Sequence, residues 1–226
     1  KEFRIKYPSI EKPVVDMKNY ISPSYFNYLE FFVEKIYHPF IGEKTFNTVV
    51  DVGANIGLFC EYISRYSKCN KIYAVEPNKQ ALKILRDTFG EDKFIIIEKA
   101  LMDKDGELEF YVDDSNSTVG ATKQFDNLKN SYKVPGVSFR TFMKENNLEY
   151  IDLFKMDIES GEYPFFESMQ KEDLDKIGNI LVEYHFCGGR TMDKDVAILL
   201  ALFRGAGFKC YINTPHSGGG FIFASR

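Results

Sequence analysis

VVDVGANIGLF, residues 49–59, is the stretch that decides the fold. A β-branched run, Thr48–Val52, ends in Gly53, and Gly57 opens a segment of helical spacing through Leu58, Tyr62 and Ile63. A strand that runs through glycines into a helix is the start of a βαβ unit. The glycines let the backbone approach a ligand closely and leave the helix N-terminus open. Outward from there the pattern repeats. Lys71–Val75 reads as a second strand, and Asn78 caps a helix with Ala81, Leu82 and Leu85 on its apolar face. Phe94–Glu98 is a third strand whose four consecutive apolar residues suit burial on both faces. Ile151–Ile158 and Ile180–Tyr184 make a fourth and a fifth. Between them Glu162–Gln170 is expected to be helical, with Pro164 confined to the first turn. A periodic helix over Asp193–Gly205 precedes Phe208–Asn213 and Phe221–Ala224, joined through a glycine-rich turn as a β-hairpin. The expectation is an α/β fold: a mainly parallel sheet with helices on both faces and a C-terminal antiparallel hairpin.

The remaining sequence bounds the function. The 226 residues suit one domain, with 29 Lys plus Arg against 33 Asp plus Glu and a net charge of −4. A mildly acidic chain with no basic block is a poor nucleic-acid binder, because that affinity rests on neutralising phosphates. The longest apolar run, Val196–Phe203, is far short of a membrane span, and no signal peptide is read in Lys1-Glu-Phe-Arg4. Lys1 stands where a methionine would begin a chain, so the natural start is expected upstream. Cys60, Cys69, Cys187 and Cys210 form no CxxC pair and read as reduced thiols of a cytoplasmic protein. Residues 1–47 carry Tyr20, Tyr25, Phe26, Tyr28, Phe31, Phe32, Tyr37 and Phe40, expected as a helical segment packed on the sheet or serving as a lid. The domain proper is expected over 48–226, with an insertion at 103–136. That insertion opens on the turn signal Asp105-Gly106 and continues through the polar stretch 113–118. Long polar insertions in compact domains are more often functional than decorative.

Two acidic residues specify the ligand. Glu76 ends the second strand 23 residues after Gly53, where a carboxylate accepts hydrogen bonds from both hydroxyls of a ribose. An adenosine-type nucleoside across the strand ends is therefore expected. The glycines lack the GxGxxG spacing of a dinucleotide site, and no GxxxxGK[ST] occurs. Asp51, just before the loop, would repel a pyrophosphate by about 1 to 4 kcal/mol. The same carboxylate suits a cationic ligand with an ammonium group, and S-adenosylmethionine is both.

The runs DVGANIG (51–57), AVEP (74–77), IDLFKMDIESGE (151–162) and LVEYH (181–185) resemble the FkbM family of S-adenosylmethionine-dependent methyltransferases. The resemblance covers roughly residues 48–185. It implies a Rossmann-like seven-stranded sheet ending in an antiparallel hairpin, and O-methylation, often of sugar or polyketide hydroxyls. One departure stands out. The family pattern after the fourth strand is close to DVEGAE, whereas here Asp157-Ile-Glu-Ser-Gly-Glu162 keeps the carboxylates and moves the glycine by one.

On this reading Asp51, Gly53, Asn55, Gly57 and Glu76 hold the cofactor. Asp103 is expected at the adenine amine, and Asp157 at the methionine ammonium unless Lys155 pairs with it instead. His185, beside Glu183, is the first candidate general base because its pKa lies near working pH; His216, in the hairpin turn, is the second. No metal is expected, although Asp157, Glu159 and His185 would be the ligands of one. No [DN]PP[YF] run for amino-group methylation and no Pro-Cys pair for a cytosine nucleophile is present, so the acceptor is expected to be a small-molecule hydroxyl, such as one on a carbohydrate. The rival readings are a binding module that keeps the cofactor without transfer, and a nicotinamide oxidoreductase.

Overall fold

The computed structural model describes residues 28–90, 92–112, 120–121, 130–159, 161–186, 191–216 and 219–226, with 120–121, 192–193 and 214–216 described by backbone alone. β1 (Thr45–Val52), α2 (Leu58–Tyr66), β2 (Lys68–Val75), α3 (Lys79–Phe89) and β3 (Ile95–Ile97) follow α1 (His38–Ile41). Next come β4 (Ala100–Leu101), β5 (Gly106–Val112), β6 (Gly120–Ala121), β7 (Asn130–Val137) and α4 (Phe139–Glu145). The second half runs β8 (Ile151–Met156), α5 (Glu162–Ser168), α6 (Lys171–Leu174), β9 (Ile177–His185), α7 (Ala197–Gly205), β10 (Lys209–His216) and β11 (Gly219–Ser225).

The main sheet has seven strands in the order β10-β11-β9-β8-β1-β2-β3. β3, β2, β1, β8 and β9 are parallel, and β11 runs antiparallel between β9 and β10. Fold class and closing hairpin are as expected. The period of two along each strand makes two cores. Val49, Leu153, Leu181 and Phe221 face Phe31, Tyr37, Phe59 and Tyr62 on one side. Val50, Val52, Phe154, Met156 and Val182 face Phe142, Phe165, Phe166 and Phe203 on the other. From β1 the chain leads to β2 and β3 on one side, and β8 and β9 lie on the other. The carboxyl ends of β1 and β8 thus flank a topological switch point, where open α/β sheets leave a crevice.

Three elements differ from expectation. The ends of the insertion form a second, four-stranded sheet, β4-β7-β5-β6, over a small core of Ala100, Phe110, Val112 and Val134. The alternation Leu108, Phe110, Val112 carried that strand beneath a polar reading of the whole segment. Asp105 accepts the Ser138 N–H (2.7 Å) and the Thr141 hydroxyl (2.7 Å), tying the turn before β5 to the start of α4. The polar stretch 113–118 lies outside the described residues. The helix expected from Asp193 opens as a π-helical turn (Met192–Val196) before α7. The helix expected over Glu162–Gln170 stops at Ser168, and Gln170 caps α6 instead.

In the N-terminal region, the described part packs on the sheet face of α2. Phe31 meets Phe59 edge-on at 6.1 Å, and Tyr37 is 1% exposed. Tyr20, Tyr25 and Phe26 lie outside the described residues. Among those described, no helix is long and apolar enough to cross a membrane.

Gly53 is fixed by geometry. Its φ is +77°, and a Cβ there would lie 1.8 Å from the Asp157 carbonyl oxygen. Gly53→Ala is expected to cost about 2 to 5 kcal/mol, combining left-handed strain with a backbone clash. Urea denaturation measures it, and a loss under 1 kcal/mol would show that the β1–β8 crossing is looser than described.

Candidate functional site

The crossing at Gly53 brings three strand ends into one row. Asp51 on β1 lies beside Lys155 on β8 in register, and Asp157 follows two residues later on the same face. Lys155 pairs with Leu181 on β9, so Glu183 and His185 fall on that face as well. Strand period and register alone thus assemble five ionisable groups at the switch point.

Lys155 is the hub and is buried. Its Nζ lies 3.1 Å from Asp51 Oδ1 and 3.7 Å from Asp157 Oδ2. Burial alone would depress its pKa, but Asp51, Asp157 and Glu183 outweigh that and raise it. Asp51 also accepts the Cys60 S–H at 3.2 Å and is 0% exposed. Its pKa is raised by burial, with Lys155 opposing. This corrects the electrostatic argument made from Asp51. Its carboxylate is neutralised beneath the loop by Lys155 and presents no free charge to a ligand. The pairing expected of Lys155 with Asp157 is there, but its shorter contact is to Asp51.

The excess acid lies further out. His185 Nε2 is 3.9 Å from Asp157 Oδ1 and 3.8 Å from Glu159 Oε2, and Nδ1 is 3.6 Å from Glu162 Oε1. Burial would lower the His185 pKa, yet Glu162, Asp157 and Glu159 together push it up to about 10. In this arrangement the ring holds its proton at neutral pH, so it is not the free base assumed from the ordinary histidine pKa. Glu162, at the start of α5, is 0% exposed and accepts the Ile158 N–H at 2.9 Å. Glu183 takes the Tyr37 hydroxyl as donor. Burial, then Asp157, pushes the Glu183 pKa up to about 8. Lys155, Glu183 and Tyr37 join the site beyond the residues expected from the sequence. Lys155 and Glu183 had a sequence signal in their spacing of two from Asp157 and His185. Tyr37 had none, since it arrives from 146 residues away.

The loop 53–57 curls over the end of β2. Gly53 and Ala54 donate to the Val75 carbonyl (2.9 and 3.1 Å), and Asn55 adopts a left-handed φ of +51° that aims its N–H at Glu76 Oε2 (2.8 Å). Gly57, with φ +85°, caps α2. Glu76 Oε1 accepts the Asn78 N–H at 2.7 Å. Burial lifts the Glu76 pKa to about 7 against the pull of those two N–H groups, with Asp51 adding to the rise. Each Glu76 oxygen keeps a lone pair for a further donor.

Asp103 is not brought to this row. It is exposed before β5 and lines a separate cavity of about 320 Å³ with Lys104, Arg140 and Asp173. His216 is a backbone position at the end of β10, opposite Gly219; its side chain lies outside the described residues.

A sequence profile described as the methyltransferase FkbM domain matches residues 51–210, well over half of the chain. The chain belongs to the FkbM methyltransferase family. It is accordingly an S-adenosylmethionine-dependent methyltransferase domain, with S-adenosylmethionine as its cofactor. No curated protein matches the chain at a significant level. Among solved structures, the fold is similar to a candidate rRNA methylase from Clostridium thermocellum, at 9% identity and a TM-score of 0.51, covering 85% of this chain and 94% of that one. It is also similar to a candidate methyltransferase from Streptococcus mutans in complex with S-adenosylhomocysteine, at 13% identity and a TM-score of 0.50, covering 85% and 96%. Both likenesses are to the FkbM domain's fold.

Removing Lys155 strands two carboxylates at the switch point. Lys155→Met is expected to destabilise the protein by about 3 to 5 kcal/mol. The loss should depend on pH. Without Lys155 the folded-state pKa of Asp51 rises further above its unfolded value, so its contribution is favourable at low pH and disappears as pH rises through the folded pKa. Urea midpoints should show a smaller deficit at pH 5 than at pH 8; an equal deficit at both would remove Asp51 as the cause.

Proposed function

We propose that this FkbM domain transfers the methyl group of S-adenosylmethionine to a hydroxyl of a small molecule, with a sugar or related metabolite as the acceptor class. The observation that carries the reading is the partly exposed row of Asp157, Glu159 and His185 on the sheet edge that also holds Glu76. Glu76 accepts the two ribose hydroxyls on its remaining lone pairs. Gly53, Asn55 and Gly57 shape the loop over the nucleoside. Asp157, half satisfied by Lys155, meets the methionine ammonium. Asp51 acts through Lys155 rather than by contact.

The chemistry asks little beyond alignment. An acceptor oxygen lone pair attacks the methyl carbon while the C–S bond breaks, its electron pair passing to the sulfonium to leave a neutral thioether. The sulfonium is already a good leaving group, so the protein must supply orientation and removal of the hydroxyl proton. Asp157 and Glu159 stand at the mouth of the row to draw that proton off, with the protonated His185 beside them. Three free thiols among the described cysteines, Cys60, Cys69 and Cys210, support a cytoplasmic setting.

Titration calorimetry with S-adenosylmethionine, S-adenosylhomocysteine and NAD separates the readings. The two sulfur compounds are expected to bind and NAD not; NAD binding alone would favour an oxidoreductase, and binding without turnover on a hydroxyl panel a non-catalytic module. Glu76→Ala should weaken S-adenosylhomocysteine by about 1.5 to 3 kcal/mol, roughly ten- to a hundredfold. Adenosine is expected to bind more tightly as pH rises through about 7, because the carboxylate form of Glu76 accepts both hydroxyls. 2′-Deoxyadenosine should lose most of that pH response, and an equal response in the two nucleosides would take Glu76 out of the ribose site.

A further inference from the structure

Beside Glu76 and the loop lies a cluster of which the proposed cofactor contacts take only Asp157. Asp157 Oδ1 and Glu159 Oε2 both face His185 Nε2, at 3.9 and 3.8 Å. These separations are too long for hydrogen bonds. They suit two ligands on one ion: at bond lengths of about 2.1 Å they correspond to a ligand–metal–ligand angle of roughly 130°. The three donor atoms lie within 4.8 Å of one another, and Glu159 is half-exposed.

A second observation is independent of that triad. Glu162 is fully buried and stands behind the imidazole, its Oε1 3.6 Å from Nδ1, while its Oε2 has no hydrogen-bond partner. Nδ1 itself is buried without a hydrogen bond. A buried carboxylate left half unsatisfied is costly, and its other oxygen, Oε1, which accepts the Ile158 N–H, is the one that faces Nδ1. A carboxylate behind Nδ1, with Nε2 turned toward two further carboxylates, is the arrangement by which proteins orient a metal-bound histidine.

We propose that Asp157, Glu159 and His185 form a binding site for one divalent cation, with Glu162 fixing the ring from behind. Two carboxylates and one imidazole favour Mn²⁺ or Zn²⁺ over Mg²⁺ or Ca²⁺. Three protein ligands leave positions open on the solvent side. There an acceptor hydroxyl, with a neighbouring oxygen, would chelate the ion and lose its proton to solvent more readily. This selects acceptors with adjacent oxygens, such as vicinal diols. The acceptor clause rests on the transferase reading; cation binding does not.

The test uses the full chain freed of metal by chelation, titrated with Mn²⁺ alone and followed by electron paramagnetic resonance, then with Zn²⁺ by calorimetry. One saturable site is expected. Glu159→Gln and His185→Gln should each weaken it at least tenfold, and Glu162→Gln about ten- to a hundredfold. Circular dichroism keeps a folding defect apart from a ligand defect, and Glu159→Gln, altering a half-exposed side chain, is the variant expected to fold normally. No saturable binding of either ion, or binding unchanged in Glu159→Gln, overturns the site. S-adenosylhomocysteine binding measured on the same preparation separates the two ideas: if it persists without metal binding, the transferase reading survives and the cation site falls; metal binding without it does the reverse.

Discussion

Everything at the switch point depends on one buried cation. Lys155 sits between Asp51 and Asp157, at 3.1 and 3.7 Å, with almost none of its side chain exposed. Taking an ammonium out of water costs several kcal/mol, and only close carboxylates offset it. The pair is therefore weak evidence for extra stability and stronger evidence for a fixed arrangement. It allows β1 and β8 to lie side by side with acids at both carboxyl ends. It also leaves further acidic groups around it, on Asp157, Glu159, Glu162 and Glu183.

That surplus sets the character of the site. Five carboxyl groups (Asp51, Asp157, Glu159, Glu162, Glu183) surround two cations (Lys155, His185), on a chain whose net charge is only −4. The raised pKa values of Glu76, Glu183 and His185 have two causes: burial penalises charge on the carboxyls, whereas crowded carboxylates hold the imidazole's proton against burial. A cationic cofactor relieves this field better than a pyrophosphate would. Asp51 does not supply that field, because Lys155 pairs with it at 3.1 Å. The family assignment to FkbM stands on the sequence motifs and is independent of the electrostatics.

The fourth-strand motif turns at Glu159. Glu159 adopts a left-handed φ of +54° in the residue just before the position where the family pattern has glycine, while Gly161 has an ordinary φ of −79°. The left-handed turn thus falls on a residue that also carries a carboxylate, and that carboxylate ends 3.8 Å from His185. The neighbouring Gly53 has no such latitude, because the Asp157 carbonyl oxygen occupies the space of its side chain.

The sequence by itself determined the elements of the main sheet, the loop that joins β1 to α2, the position of Glu76 and the family. These are local properties, carried by periodicity, glycine spacing and short runs such as DVGANIG. It also held, unread, the second sheet in the alternation Leu108, Phe110, Val112. Only the tertiary structure decided which charges meet. Lys155 chose Asp51 because parallel register sets those residues side by side on adjacent strands. Tyr37 reached Glu183 across 146 residues because the N-terminal aromatic segment packs on that sheet face. Asp103, reasonable by position, went to a different cavity. Ion pairing depends on distances of a few ångströms and on burial, and neither is encoded in spacing along the chain.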